Sequence, residues 1–179
     1  KGGDPLVFGR GSEEAQRLDE AGVAFEIVPG ISAAIGAGAY AGIPLTHRGL
    51  ASSVRFVTGH CREDSELDFD WQGLADPSTT LVIYMGMANV EQITENLIKH
   101  GADPKLPAAA INNGSTPAQR HVVSALEKLA GDAKAAEFNG PVLFVVGQVV
   151  ALHAILGVQV DANQDQAQDD EQPNSAVGS

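Results

Sequence analysis

Apolar residues recur along this chain in runs of strand length, each closed by glycine, proline or a polar cluster. Residues 23–28 (VAFEIV) form the first run, and Pro29-Gly30 closes it. Residues 53–58 (SVRFVT) form the second, rich in β-branched and aromatic side chains. Residues 79–84 (TTLVIY) are apolar almost throughout, which predicts a central strand. Residues 107–112 and 141–150 are the remaining predicted strands. Helical signals alternate with these runs. Ser12 is a good N-cap, Glu13 and Glu14 suit the positive end of a helix to about Ala21, and Gly22 stops it. Ser32 opens a second helix, made almost wholly of small residues up to Gly42. Asn89 with Gln92 makes a capping-box pattern; Val90, Ile93 and Leu97 give the apolar stripe, and Gly101 the stop. Leu67, Phe69 and Trp71 alternate, as a short edge or the cover of a core would. Residues 119–129 are ambiguous, because Val122, Leu126 and Leu129 also have helical spacing. Strands alternating with helices predict an α/β fold.

Glycine sits where strands end. Gly2-Gly3-Asp4-Pro5 excludes regular structure, and paired glycines let a backbone take positive φ and approach a ligand closely. In open α/β sheets ligands sit at such strand ends. The same glycines equally suit plain tight turns, and spacing alone leaves both readings open. The usual phosphate signatures, GxxxxGK[ST] and GxGxxG, are absent. Gly30-Ile31-Ser32-Ala33-Ala34 does not match the GxSxG nucleophile elbow.

The wording of these loops is more specific than their spacing. KGGDPLVFGRGSEE, VPGISAAIGAGAYAGIPLTHR and LVIYMG resemble the tetrapyrrole methylase family, and GRGSEE and GIPLTHR its uroporphyrinogen branch. The resemblance runs from Lys1 to about Leu156. It implies two α/β domains with a ligand cleft between them: residues 1–48 as the remainder of a truncated first domain, and residues 49–157 as the second. It also resolves residues 119–129 into a strand at about 120–124 followed by a helix. Family members begin with a strand and a GxGPGD-type loop upstream of KGGD. The chain starts inside a motif and without Met, so it reads as a fragment, expected to be inactive by itself.

The resemblance implies an enzyme that moves methyl groups from S-adenosylmethionine to carbons 2 and 7 of uroporphyrinogen III. The products are S-adenosylhomocysteine and precorrin-2, which feeds siroheme and cobalamin. Gly2, Gly3, Asp4 and Val7 match the family's first cofactor loop, and Ser32 and Ala33 the second, at a helix start where N–H groups are available. Met85 and Gly114 match two further strand-end contacts; for Met85, a gap-filling core role is the plain alternative. Arg10 and Arg48 match arginines that face the substrate, with Met85 beside them, and Glu13 matches a neighbouring acid. The family's carboxylate in the loop upstream of KGGD and, within this chain, Arg10 with Glu13 are the candidates for taking up a pyrrole proton. The plain reading of Arg10 is a surface ion pair with Glu13 or Glu14. His47 is read as structural, and Asp4 alone reads as a turn cap. A later corrin methylase and a non-catalytic cofactor-binding or dimerisation remnant are the alternatives.

Charge and cysteine narrow the setting. The formal net charge of −12 disfavours a nucleic-acid partner. Five of those negative charges come from the 161–179 tail, whose composition cannot bury enough apolar surface, so residues 158–179 are expected to be disordered. No apolar run has the length of a membrane span. The single cysteine, Cys61, excludes an internal disulfide and fits a reducing, cytoplasmic setting. His60-Cys61 lacks a zinc-type partner pair, and His100, His121 and His153 read as surface or helix-end residues, so no metal is expected. The family resemblance implies a homodimer.

Overall fold

The computed structural model describes residues 2–60 and 67–157. Five strands form one mixed sheet in the order β1-β2-β5-β3-β4. They are β1 (Ser53–Thr58), β2 (Thr79–Tyr84), β3 (Pro107–Asn112), β4 (Arg120–Ala125) and β5 (Val142–Val146). β1 and β2 run parallel, in register Ser53 with Thr79. The other neighbours are antiparallel. As its apolar run predicts, β2 is interior, and Leu81, Val82 and Ile83 are fully buried.

Alternation along the strands divides the core into two layers. Leu81, Ile83, Ala108, Ala110, Phe144 and Val146 face α4 (Val90–Lys99) and α5 (Leu126–Ala135). The α4 stripe of Val90, Ile93 and Leu97 lies in this layer, as its spacing predicts. Leu67 is buried there, and Phe69 and Trp71 pack against it, so this stretch covers a core; Trp71 opens the short helix α3 (Trp71–Leu74). On the opposite face, Val82, Ala109, Ile111, Leu143 and Val145 meet α2 (Ala33–Tyr40) through Ala34 and Ala37. The small residues of α2 are what permit this approach. A methyl group on Gly114 would lie 2.4 Å from Ala37 Cβ, and one on Gly38 would lie 2.8 Å from the Ile43 carbonyl oxygen.

Four expectations need correction. Residues 23–28 pair with no strand; Val23, Phe25, Ile27 and Val28 stay exposed. A strand needs a neighbour for its ladder, and no described strand runs beside this one. The first helix, α1, is Gly11–Glu20: Ser12 lies inside it, and Arg10, at φ 58°, stands at the cap. Asn89 precedes α4 without a side-chain cap; its amide instead donates to the Gly59 carbonyl at 2.7 Å. The last strand stops at Val146, because Gly147 turns the chain at φ 147° into a 3-10 helix at Gln148–Leu152 and then α6 (His153–Leu156). Val149 and Val150 are buried from that 3-10 helix, so their apolarity reflects the core and not the sheet. β4 followed by α5 occurs as the family resemblance implied, because Val122 and Ala110 are ladder partners. Cys61 and the acidic tail lie outside the described residues.

Candidate active site

The loops at the carboxyl ends of β2 and β3 meet the first turn of α2. Tyr84 is the last residue of β2, and its hydroxyl accepts the Ala34 N–H at 3.0 Å. It also hydrogen-bonds the Ser32 side chain. Burial pushes the Tyr84 pKa up, while the Ala34 and Ser32 hydrogen bonds pull it back. Its ring lies 4.9 Å from Phe8 and 6.0 Å from Phe56, centroid to centroid. Tyr84 therefore ties together the first loop, the start of α2 and two strand ends. Sequence reasoning missed it; its signal was an aromatic with a polar tip directly before Met85.

Met85 follows in a left-handed conformation, φ 52°, with its side chain half exposed. A core Met would be covered, so Met85 projects over the strand end instead of filling a gap. Gly114 follows β3 and packs on Ala37, one turn along α2. Asn113 and Ser115 on either side also have positive φ, which gives that loop its sharp bend.

The first loop lies against the α2 start. A Cβ on Gly3, at φ 77°, would stand 3.2 Å from the Ile31 carbonyl oxygen and 3.7 Å from the Ala33 nitrogen. A Cβ on Gly30 would collide with the Gly3 carbonyl at 2.3 Å. Asp4 fastens the same junction: one carboxylate oxygen accepts from Leu6 N–H at 2.9 Å, the other from Gly30 N–H at 3.2 Å. Gly2 is exposed and Val7 is half-buried. Ser32 is buried, and its carbonyl accepts from Ile35 and Gly36. Of the first-turn amides, Ala34, Ile35 and Gly36 are thus engaged, whereas the Ala33 N–H has no partner among the described residues. Gly3, Ser32 and Ala33 therefore meet at the first turn of α2, Gly114 packs one turn further along, and Met85 follows Tyr84, whose hydroxyl reaches that first turn.

The arginines behave differently. Arg10 Nε lies 2.5 Å from Glu13 Oε2, with both side chains largely exposed. That hydrogen bond and the Glu13 charge push the Arg10 pKa up. Phe8, two residues before Arg10, is the link to the cluster. Arg48 is exposed on the turn closed by the His47–Ala51 backbone pair, and it shares no hydrogen bond or ion pair with Arg10. A hollow of about 860 Å³ is a separate feature. Only α1 and its Arg10 cap line it, and Glu13, Glu14 and Glu20 outnumber Arg10 and Arg17 there.

The profile of the Tetrapyrrole (Corrin/Porphyrin) Methylases matches residues 1–130. The chain belongs to the tetrapyrrole methylase family. A Uroporphyrinogen-III C-methyltransferase from Paracoccus denitrificans is 49% identical over 85% of this chain and 53% of its own length. A siroheme synthase from Acinetobacter baylyi is 49% identical over 85% of this chain and 33% of its own. The Thermus thermophilus Uroporphyrin-III C-methyl transferase, solved with S-adenyl homocysteine, superposes with a TM-score of 0.71 at 38% identity, covering 85% of this chain and 65% of that one. The α/β architecture is therefore that of the tetrapyrrole methylase fold. The chain spans about half the length of the Paracoccus relative. Among the described residues no helix is long and apolar enough to cross a membrane.

Proposed function

We propose that this chain carries the cofactor cradle and part of the substrate cleft of an S-adenosylmethionine-dependent uroporphyrinogen-III C-methyltransferase. The observation that carries this reading is that Gly3 lies against Ser32 and Ala33 at the start of α2, where the Tyr84 hydroxyl next to Met85 also binds, with Gly114 packed one turn further along. Two of these residues are glycines whose backbone lies against a neighbouring element, which keeps the pocket floor free of side chains. The unpartnered Ala33 amide is a donor for the cofactor's carboxylate. Gly2, Asp4 and Val7 shape the first loop around it. Of the methylases in this fold, the reading selects the uroporphyrinogen branch because relatives of that name reach 49% identity.

S-adenosylmethionine supplies an electrophilic methyl on sulfur. The chain's part is to hold a pyrrole carbon in line with it, since positioning dominates such transfers. The carbon forms its bond as the carbon–sulfur bond breaks, leaving S-adenosylhomocysteine, and the pyrrole then loses a proton. Glu13, held by Arg10, is the acceptor this chain offers. Arg10 and Arg48 serve the substrate's acetate and propionate groups as planar forks. The division of labour falls at about residue 48, with residues 1–48 and 49–157 forming the two sides of the cleft. Repeating the step at carbons 2 and 7 gives precorrin-2, on the way to siroheme and cobalamin.

The test incubates a full-length protein that carries this chain with uroporphyrinogen III and methyl-labelled S-adenosylmethionine and locates the label. Label on carbons 2 and 7 is expected. Tight S-adenosylhomocysteine binding with no label on uroporphyrinogen would overturn the substrate and keep the cofactor.

A further inference from the structure

Two histidines that the function above does not use meet on the α2 side of the sheet. His121 lies on β4, opposite Ile111, and Ile111 belongs to the layer under α2. His153 opens α6. Their Nε2 atoms are 3.1 Å apart, with ring planes at 70°. His153 Nδ1 lies 2.6 Å from the Ala41 carbonyl oxygen. A carbonyl can only accept, so Nδ1 carries the hydrogen and Nε2 of a neutral His153 presents a bare lone pair. In the metal-free pair, His121 Nε2–H donates to that lone pair. Moving this one hydrogen to His121 Nδ1 leaves two imidazole lone pairs facing the same small space.

We propose that His121 and His153 form a two-imidazole site for a borderline divalent ion such as zinc or copper(II). A tetrahedral zinc with bonds of about 2.0–2.1 Å holds two nitrogens roughly 3.3 Å apart, close to the separation already present. The bond from His153 Nδ1 to a backbone carbonyl is the outer-shell support that metal-bound histidines use. The ring is also clamped. A Cβ on Gly157 would lie 2.7 Å from His153 Cε1, and one on Gly42 would lie 2.4 Å from the Leu156 carbonyl oxygen. Two glycines thus let the chain close over the ring and preset its direction.

No charged side chain forms an ion pair with either ring among the described residues. Arg120, next to His121, turns its guanidinium to the Ala136 carbonyl and the Phe138 ring. Nor does a third His, Cys, Asp or Glu complete a cluster among the described residues. Water therefore fills the remaining positions, so the site is open and exchangeable. Imidazole ligands select copper, zinc and nickel over magnesium or calcium. A bound ion would join edge strand β4 to α6 and, through Ala41, to the end of α2.

The experiment titrates zinc and copper(II) into chelator-treated protein by calorimetry and records the copper(II) paramagnetic resonance spectrum. One equivalent should bind, with a spectrum showing two nitrogen ligands. His121→Ala should weaken binding by at least about tenfold, and so should His153→Gln, which keeps a side chain able to reach Ala41. His100→Ala and Cys61→Ser should leave it unchanged. Equal affinity in the parent protein and the His121→Ala variant would overturn the proposal. Loss of binding on Cys61→Ser alone, or a one-nitrogen spectrum in the parent, would do so too.

Discussion

At the scale of single residues, glycine and alanine at the proposed cradle have different jobs. Gly3 is needed by the loop itself: its φ of 77° and its closeness to Ile31 would strain any side chain. Gly3→Val would therefore damage the loop as well as the ligand space. Ala33 is exposed, so a larger residue there fills the cradle without invading the core. Ala33→Leu should abolish S-adenosylhomocysteine binding by calorimetry and leave the melting temperature within a degree or two of the parent; undiminished affinity would remove Ala33 from the site. The arginines test the substrate side. In a full-length protein that carries this chain, Arg10→Ala and Arg48→Ala should each lower kcat/KM for uroporphyrinogen III by about ten- to a hundredfold, from charge-assisted bonds worth roughly 1.5–3 kcal/mol. Cofactor affinity should hardly move. Arg48→Lys should recover only part, because an ammonium lacks the planar fork. Parent-like kinetics in both Ala variants would make these arginines surface residues.

At the scale of elements, β2 and α2 form one unit through Tyr84. The strand end brings the hydroxyl, and the helix start supplies Ala34 N–H and Ser32. Tyr84→Phe keeps the ring contacts with Phe8 and Phe56 and removes only the oxygen. The Ala34 amide then loses a partly buried partner, at a cost of about 1–3 kcal/mol. Denaturant unfolding should show a lower midpoint with an unchanged slope. S-adenosylhomocysteine affinity should fall as well, since Ser32 and Met85 lose their common anchor. A stable variant with parent affinity would show that the hydroxyl holds nothing in place.

At the scale of the whole molecule, two properties can be measured. The first is acid sensitivity. His121 has a folded pKa below its ordinary value because burial penalises its charge. Between the folded value and the ordinary one near 6.5, the unfolded chain binds more protons, so stability rises with pH across that window. Melting temperature should drop as pH falls from about 7 to about 5, and His121→Gln should flatten the decline. A steeper decline in the variant would reverse the assignment. The second is assembly: the reading carries a homodimer with it. The stripe of small residues on α2 facing the sheet is already used within the chain, since Ala34 and Ala37 lie in the core layer. Any subunit contact must therefore use other surfaces, and sedimentation at micromolar concentration should show twice the monomer mass. A single monomer species would remove the dimer from the reading.

Local and periodic features were legible without coordinates. The β1, β2 and β3 runs and the α4 stripe carry their own signals, because a buried strand or helix face must be apolar at period 2 or 3.6 wherever it packs. The loops proposed to hold the cofactor, Gly2 to Asp4 and Ser32 to Ala33, stand out by wording, and the fold brings Gly3 against Ser32 and Ala33. Tertiary structure decided what depends on a neighbour. Residues 23–28 have the composition of a strand, yet a ladder needs a second strand, and none of the described ones lies beside them. The apolar run 141–150 reads as one strand, but Gly147 turns it, and Val149 and Val150 are buried by the layer they join. Tyr84 at the helix start and the facing pair of His121 and His153 join positions 50 and 32 residues apart. Spacing along a chain cannot report such meetings, because hydrogen-bond geometry depends on where the folded backbone brings two side chains.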